Sequence, residues 1–497
     1  MTRSDPHRLS ATGVAIAGIG LGLGVAALVS RRIRTPRADD GRQLSPLSAV
    51  SRVQRTTALA GLVASVGSDA AFTKARQAFA SAPRREVLQR DLELRSAQAV
   101  TERLGNMKGA LMKLGQMASY LHEGLPPHVR EALGQLQQSA PPMSAELAAE
   151  CIERELGQRP EDLFAEWDPE PIASASIGQV HRAITRDGQA VAVKVQYPGV
   201  AEAIAADLGT ADMLFAAIGA GFRGLDRKPV TDEIKARLRE ELDYGLEAAN
   251  QQQFADFYAG HPFIHVPSVR HDLSTAKVLT TELAQGVHLD EVRGWSQDQR
   301  DMAAEAVFRF VFRSLYRLQA FNGDPHPGNY LFRPDGHVTF LDFGLVRRFD
   351  DGELGQFEDL IESMVIDHDP AAFRVALANA GLLTLDAPAT DEAIADYFSA
   401  FYDVVRRRGP FAFTPEYASG IVGRTFDLSS PIAQYATVPA AFVVIQRINL
   451  GLYAVLGSLR ATRDWRGISE ELWPMVNGAP STPMGEAEAE WLLSKQH

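Results

Sequence analysis

The stretch NGDPHPGNYLFRPDGHVTFLDFG, Asn322 to Gly344, decides how the rest of the chain is read. Asp324 and Asn329 stand in its first half and Asp342 near its end. Between them Pro334-Asp335-Gly336 is a turn signal, flanked by apolar runs at 330–332 and 338–341. A hairpin there brings its two ends together. Asp324, Asn329 and Asp342 should therefore converge on one site of hard oxygen donors. Such a set suits Mg2+, which takes one or two carboxylates together with phosphate oxygens.

The same spacing, D-x-x-x-x-N followed by D-F-G, is that of a kinase catalytic loop and its metal-holding segment. Asp324 is then the base or positioning group for the acceptor, and Asn329 and Asp342 hold the metal. The pattern also predicts partners upstream. Lys194 lies in VAVKVQ (191–196), a relative of V-A-I-K on an alternating strand, where a lysine can pair with nucleotide phosphates. It is one of only 8 lysines in the chain, which makes its placement informative. The helical stretch 231–254 offers Glu240, Glu241, Asp243 and Glu247 as its holder. Glu241 is the first choice as partner of Lys194, and Glu247 the alternative.

The phosphate-covering segment departs from ordinary kinases. No G-x-G-x-x-G precedes Lys194. The loop is PIASASIGQVH (171–181), with Ala173, Ser174, Ala175, Ser176 and a single glycine, Gly178. Small residues still let backbone N–H groups approach phosphates, and Ser176 can offer a hydroxyl. Glu282, closing the run 276–282, joins these as a nucleotide-binding candidate. His326 stands where a lysine is usual, and no A-P-E motif follows Asp342.

With these departures the chain resembles the UbiB-type (AarF-like) atypical kinase family. KLGQ (Lys113–Gln116) is similar to its K-x-G-Q motif, ASASIGQVH to its alanine-rich loop, and ELDY (Glu241–Tyr244) to its E-x-D motif. DPHPGN and LDFG complete the set, and the likeness spans about residues 85–460. The resemblance implies ATP or ADP binding with Mg2+, slow ATPase activity, and isoprenoid quinone or other lipid metabolism at membranes, alongside partner enzymes of that metabolism. It implies that Lys113 and Gln116 enter the place a protein substrate would otherwise take. Asp243 would then pair with the extension, with Lys113 the candidate, and Glu247 belongs to the same regulatory set. Two other readings stay open. One is a pseudokinase that binds lipid or partner under nucleotide control. The other is a small-molecule phosphotransferase.

The rest of the chain is consistent with two lobes. Its 497 residues exceed one average domain, and 45% hydrophobic content supports a large core. A net charge of −12 argues against a nucleic-acid partner. Cys151 is the single cysteine, which excludes an intramolecular disulfide and a cysteine-based zinc site; a small buried helix residue is the reading it gets. Residues 9–30 carry no charge and are long enough for a spanning helix, and Arg31, Arg32, Arg34 and Arg37 follow. A membrane anchor is expected there, with the remainder on the cytoplasmic face of a bacterial membrane.

The expected fold is α+β, a two-lobed protein-kinase-like fold with an N-terminal helical extension and an N-terminal membrane helix. Its parts are a tail 1–40, a linker 41–84, the extension 85–157, a small lobe 158–284, a large lobe 285–462 and a C-terminal tail 463–497. Within that tail the polar residues 476–497 read as loose. Residues 441–459 are apolar but carry Gln446, Arg447 and Asn449 at their centre, which favours a buried helix over a second span.

Overall fold

The computed structural model describes residues 144–175, 177–198, 200, 242–323, 326–384, 386–425, 430–437 and 439–495. All belong to one compact unit, Pro141–Ile204 with Pro229–His497. The candidate span 9–30 and Lys113, Gln116, Ser176, Glu241 and Asp324 lie outside the described residues.

The small lobe is a four-stranded antiparallel sheet backed by a helix. Its strands are β1 (Glu166–Ser174), β2 (Gly178–Ile184), β3 (Ala190–Gln196) and, later in the chain, β5 (Val278–Glu282), in the order β1-β2-β3-β5. β2 and β3 form a hairpin, with Val180 opposite Lys194 and Gly188 at φ 85° in its turn. Alternation puts Val191, Val193 and Val195 on one face. There they pack on Ala148, Cys151 and Ile152 of α1 (Ala145–Leu156). Ser144 caps that helix and Gly157, at φ 79°, ends it. Cys151 is buried against the sheet, as its bland reading required.

The small-residue loop needs correcting. Ala173 and Ser174 are in β1, opposite Val180 and Gln179, so only a short turn joins β1 to β2. β1 runs EWDPEPIAS and pairs irregularly between Trp167 and Ala173. Two prolines and a bulged register hide such an edge strand from a search for alternation.

Of the helical reading of 231–254, the described part, 242–254, is helical from Tyr244. Helix α2 runs Tyr244–Phe257, and Asp243 is its N-cap, accepting from the backbone N–H of Gly245 and Leu246.

The large lobe is built on α3 (Gln297–Arg313), whose N-terminus is a Ser296/Gln299 capping box. A wide turn at Ser314–Leu318 and Gln319 at φ 51° lead into a strand, β6 (Ala320–Asn322). The opening stretch forms the predicted hairpin, β7 (Tyr330–Phe332) with β8 (Val338–Phe340), and β4 (Ile264–His265) extends it in the order β4-β8-β7. β6 pairs with β9 (Val346–Arg348). Phe308, Phe310, Phe332, Phe340 and Phe343 fill the core beneath. Helices α4 (Asp351–Ile361), α5 (Pro370–Asn379), α6 (Asp391–Phe398) and α7 (Pro415–Thr425) follow, with β10 (Phe411–Ala412) and β11 (Thr462–Arg463) forming a short ribbon. Helix α8 (Ala440–Leu459) buries Ile448, Leu452, Val455 and Leu456 in the same core, as its polar centre suggested.

The chain end is not loose. Beyond α9 (Trp465–Leu472), helix α10 (Pro483–Ser494) docks through buried Glu488 and Trp491. The membrane placement is also corrected. Among the described residues no helix is long and apolar enough to cross a membrane.

Candidate functional site

Lys194 sits at the middle of β3 with its amine toward α2. The N-cap at Asp243 fixes where α2 starts, and that start puts Glu247 in its first turn. Lys194 Nζ donates to both Glu247 carboxylate oxygens, at 2.8 and 2.9 Å. The pairing therefore falls on Glu247 and not on Glu241, the first choice. Asp243, assigned above to the extension, uses its side chain as the cap. Tyr244 lies under the same amine, 4.9 Å from ring centre to Nζ.

The Asp342 carboxylate is the third member, 3.7 Å from Lys194 Nζ. Burial disfavours the ammonium, but Asp342 and Glu247 outweigh it and hold Lys194 well above the usual lysine value. Lys194 is a fixed cation with a 17% exposed side chain, beside a 40% exposed Asp342. Asp342 takes φ 61°, a left-handed conformation that aspartate tolerates better than most residues. Its Oδ1 accepts from Gly344 N–H at 3.1 Å. Phe343 is fully buried against Phe254 of α2, with ring centres 4.9 Å apart.

The β7–β8 hairpin does what its spacing required. Tyr330 pairs with Phe340, and Leu341 N–H donates to the Asn329 carbonyl at 2.8 Å. Asn329 and Asp342 thus meet at one end of the hairpin. Asp324, on the same loop, is outside the described residues. Of the covering segment, Ala173, Ser174 and Ala175 lie at the β1–β2 turn, where Ala175 N–H donates to the Gly178 carbonyl. A Cβ on Gly178 would run into the Val195 carbonyl oxygen and stand 2.9 Å from the Tyr244 hydroxyl. Glu282 ends β5 opposite Val191, and its carboxylate, held below the usual range by His265, is 3.3 Å from that ring.

Three braces escaped the sequence reading. Asn322 donates to the Asp342 carbonyl at 2.8 Å, and Asn250 donates to the Phe343 carbonyl at 3.2 Å. Arg348 donates in turn to Asn250 Oδ1 at 3.1 Å. Asn250 follows Glu247 by three, so both lie on one face of α2, and that spacing was the available signal.

As donors, Asp342 and Asn329 offer hard oxygen chemistry beside a fixed lysine. That fits a divalent cation carried mostly by phosphate and water. Among the described residues no group of three or more His, Cys, Asp or Glu side chains could hold an ion unaided.

Comparison with known proteins places this geometry. Residues 135–374 match the model of the ABC1 atypical kinase-like domain. The chain is 37% identical over 257 residues to the atypical kinase COQ8B, mitochondrial, of Rattus norvegicus, covering 51% of this chain and 48% of that one. It is 33% identical over 385 residues to an uncharacterized chloroplastic aarF domain-containing protein kinase of Arabidopsis thaliana, covering 75% and 54%. The chain spans about half the length of the curated relatives it matches. Among solved structures, the complex of Rv3197 with erythromycin from Mycobacterium tuberculosis matches with TM-score 0.59 and 32% identity, covering 78% of this chain and 98% of that one. The relatives' names place them in mitochondria and chloroplasts, so the cytoplasmic, membrane-anchored bacterial placement is withdrawn.

Proposed function

This chain belongs to the ABC1 atypical kinase-like family, and from that premise we propose that it binds Mg-ATP or Mg-ADP between the β1–β3 strands and the segment 322–344, and hydrolyses ATP in support of isoprenoid quinone or other lipid metabolism. The observation that carries the reading is Lys194 held by both oxygens of Glu247 within 3.7 Å of Asp342. A cation so fixed suits the α- and β-phosphates of a nucleotide. Asp342 and Asn329 are the residues that would hold Mg2+, whose charge offsets that of the phosphates. Asp324 takes the acceptor's proton or orients it. Ala173, Ser174 and Ala175 cover the phosphates with backbone, and Glu282 borders the nucleotide. Lys113 and Gln116 restrict access for protein acceptors, which leaves water or a small lipid precursor as the recipient.

Phosphate release from ATP by the full chain, with Mg2+ present and absent, tests this. Release should depend on Mg2+ and fall below one hundredth in Asp342→Asn, on the order of the loss expected when a metal-holding group is removed. Undiminished release in Asp342→Asn would overturn the reading. Mg2+-dependent nucleotide binding without release would instead mark a nucleotide-gated binding protein.

A further inference from the structure

The large lobe contains a cavity of about 260 Å³, lined by none of the nucleotide candidates named above. It lies at the seam between two hydrophobic clusters: Phe357 and Ile448 belong to one, and Leu360, Leu377 and Phe398 to the other. Phe312, Phe401 and Phe442 add aromatic wall.

The wall is not uniformly apolar. Gln446 and Asn449 of α8 line it, with the phenols of Tyr316 and Tyr402. Among the described residues neither amide has a hydrogen-bonding partner. Burial holds both phenols well above their usual range, with the Glu358 carboxylate adding to the effect on Tyr316, so both stand as neutral donors. An apolar shell with a few convergent donors and acceptors is how small-molecule sites are built. The volume lies just below the range of typical ligand pockets, about 300–1,000 Å³, which calls for a compact occupant.

We infer that this cavity is a second binding site, for a compact aromatic or alicyclic molecule that carries a hydroxyl or carbonyl group for the Gln446 and Asn449 amides. The inference stands independently of the nucleotide reading, because the two sites share no residue.

The probe is 1-naphthol, titrated into the full chain and followed by its fluorescence, with naphthalene as competitor. One molecule should bind, at least about tenfold more tightly than naphthalene, the worth of one good hydrogen bond. Ala436→Phe fills the cavity from its wall and should abolish binding. Gln446→Leu combined with Asn449→Leu should erase the preference for 1-naphthol. Asp342→Asn should bind the probe as the native chain does. Binding that survives Ala436→Phe, a preference that survives the double substitution, or loss of binding in Asp342→Asn would each overturn the inference. If Ala436→Phe does not fold, a crystal soaked in 4-bromo-1-naphthol decides through bromine anomalous density. A peak in this cavity supports the site, and peaks only elsewhere overturn it.

Discussion

Lys194 gathers three influences on one atom: the Glu247 carboxylate, the Asp342 carboxylate and the face of Tyr244. Glu247 does most to fix its direction, since both of its oxygens accept from Nζ. Glu247→Gln keeps the shape and removes the charge. It should weaken Mg-nucleotide binding about tenfold to a hundredfold, the worth of a hydrogen bond to a charged group, measured by calorimetry. Glu241→Gln should leave that affinity within about twofold, because the bonds from Lys194 go to Glu247. The reverse order of effects would show that the ion pair does not organise the site. Gly178 sets a second limit at this scale. A methyl there meets the Val195 backbone, which cannot swing away as a side-chain tip can. Gly178→Ala should lose about 1–3 kcal/mol in denaturant unfolding, the usual penalty of overpacking. The sequence made Lys194 and Asp342 legible because their motifs are local. It left Glu247 among four acids, because the choice depends on where α2 starts.

Elements were legible where pairing is local and the pattern regular. The β2–β3 and β7–β8 hairpins each announce a turn between alternating runs, and both are present. β6 and β9 are three residues each and sit 26 positions apart at their starts (320 and 346), so only tertiary context makes them strands. α2 was legible as helix within 231–254, but its buried face was not. It buries Glu247, Asn250 and Gln251 beside Phe254, so a search for apolar spacing misses its inner face. Polar groups also lie inside the small sheet. His181 on β2 is buried and stacks on Trp167 at 4.6 Å. Its Nδ1 donates to the Asp168 carbonyl, which leaves Nε2 to accept from Gln179 at 2.9 Å. Burial lowers its pKa below the ordinary 6.5, and the Asp168 carbonyl only partly opposes this. The neutral ring is therefore the folded form. Its contribution is complete above pH 6.5 and is lost as pH falls toward the lower folded value, because the unfolded chain takes the proton first. Thermal unfolding should show stability declining below pH 6.5, by up to about 1.4 kcal/mol per pH unit from this one proton. His181→Gln should flatten that slope, and an unaltered slope would assign it to other groups.

At the scale of the whole molecule, buried charge holds the chain end in place. Glu488 of α10 accepts from Arg313 Nε and Nη2 at 3.0 Å each and from Arg309 Nη1 at 2.9 Å. Arg309 reaches Glu305 at 2.9 Å and Glu471 of α9 at 2.8 Å, and Arg463 of β11 reaches Glu305 and Asp301. Arg309 is 0% exposed and Glu488 1%. The partners lie up to 179 positions apart, which is why a polar tail read as loose: its anchors are a lobe away in sequence. Burial works against the Glu488 charge, but His261 and Arg313 prevail and hold its pKa well below the usual range. Such a network is unforgiving of partial loss, because removing one partner strands the other charge out of water. Glu488→Gln should cost about 3–5 kcal/mol in denaturant unfolding and open the α10 segment to limited proteolysis. Replacing Arg313 and Glu488 together by methionine should recover part of that loss, since a pair exchanged for apolar groups is often near neutral. Acid supplies an independent check. Glu488 stabilises the fold fully above its unfolded value near 4.5 and progressively less as pH falls below it, so the acid limb of the native stability curve should be steeper than that of Glu488→Gln. Equal acid limbs, or a single substitution no worse than the double, would mean that the apolar contacts of Trp491 with Phe257, Tyr258 and His261 hold the helix in place of the charges.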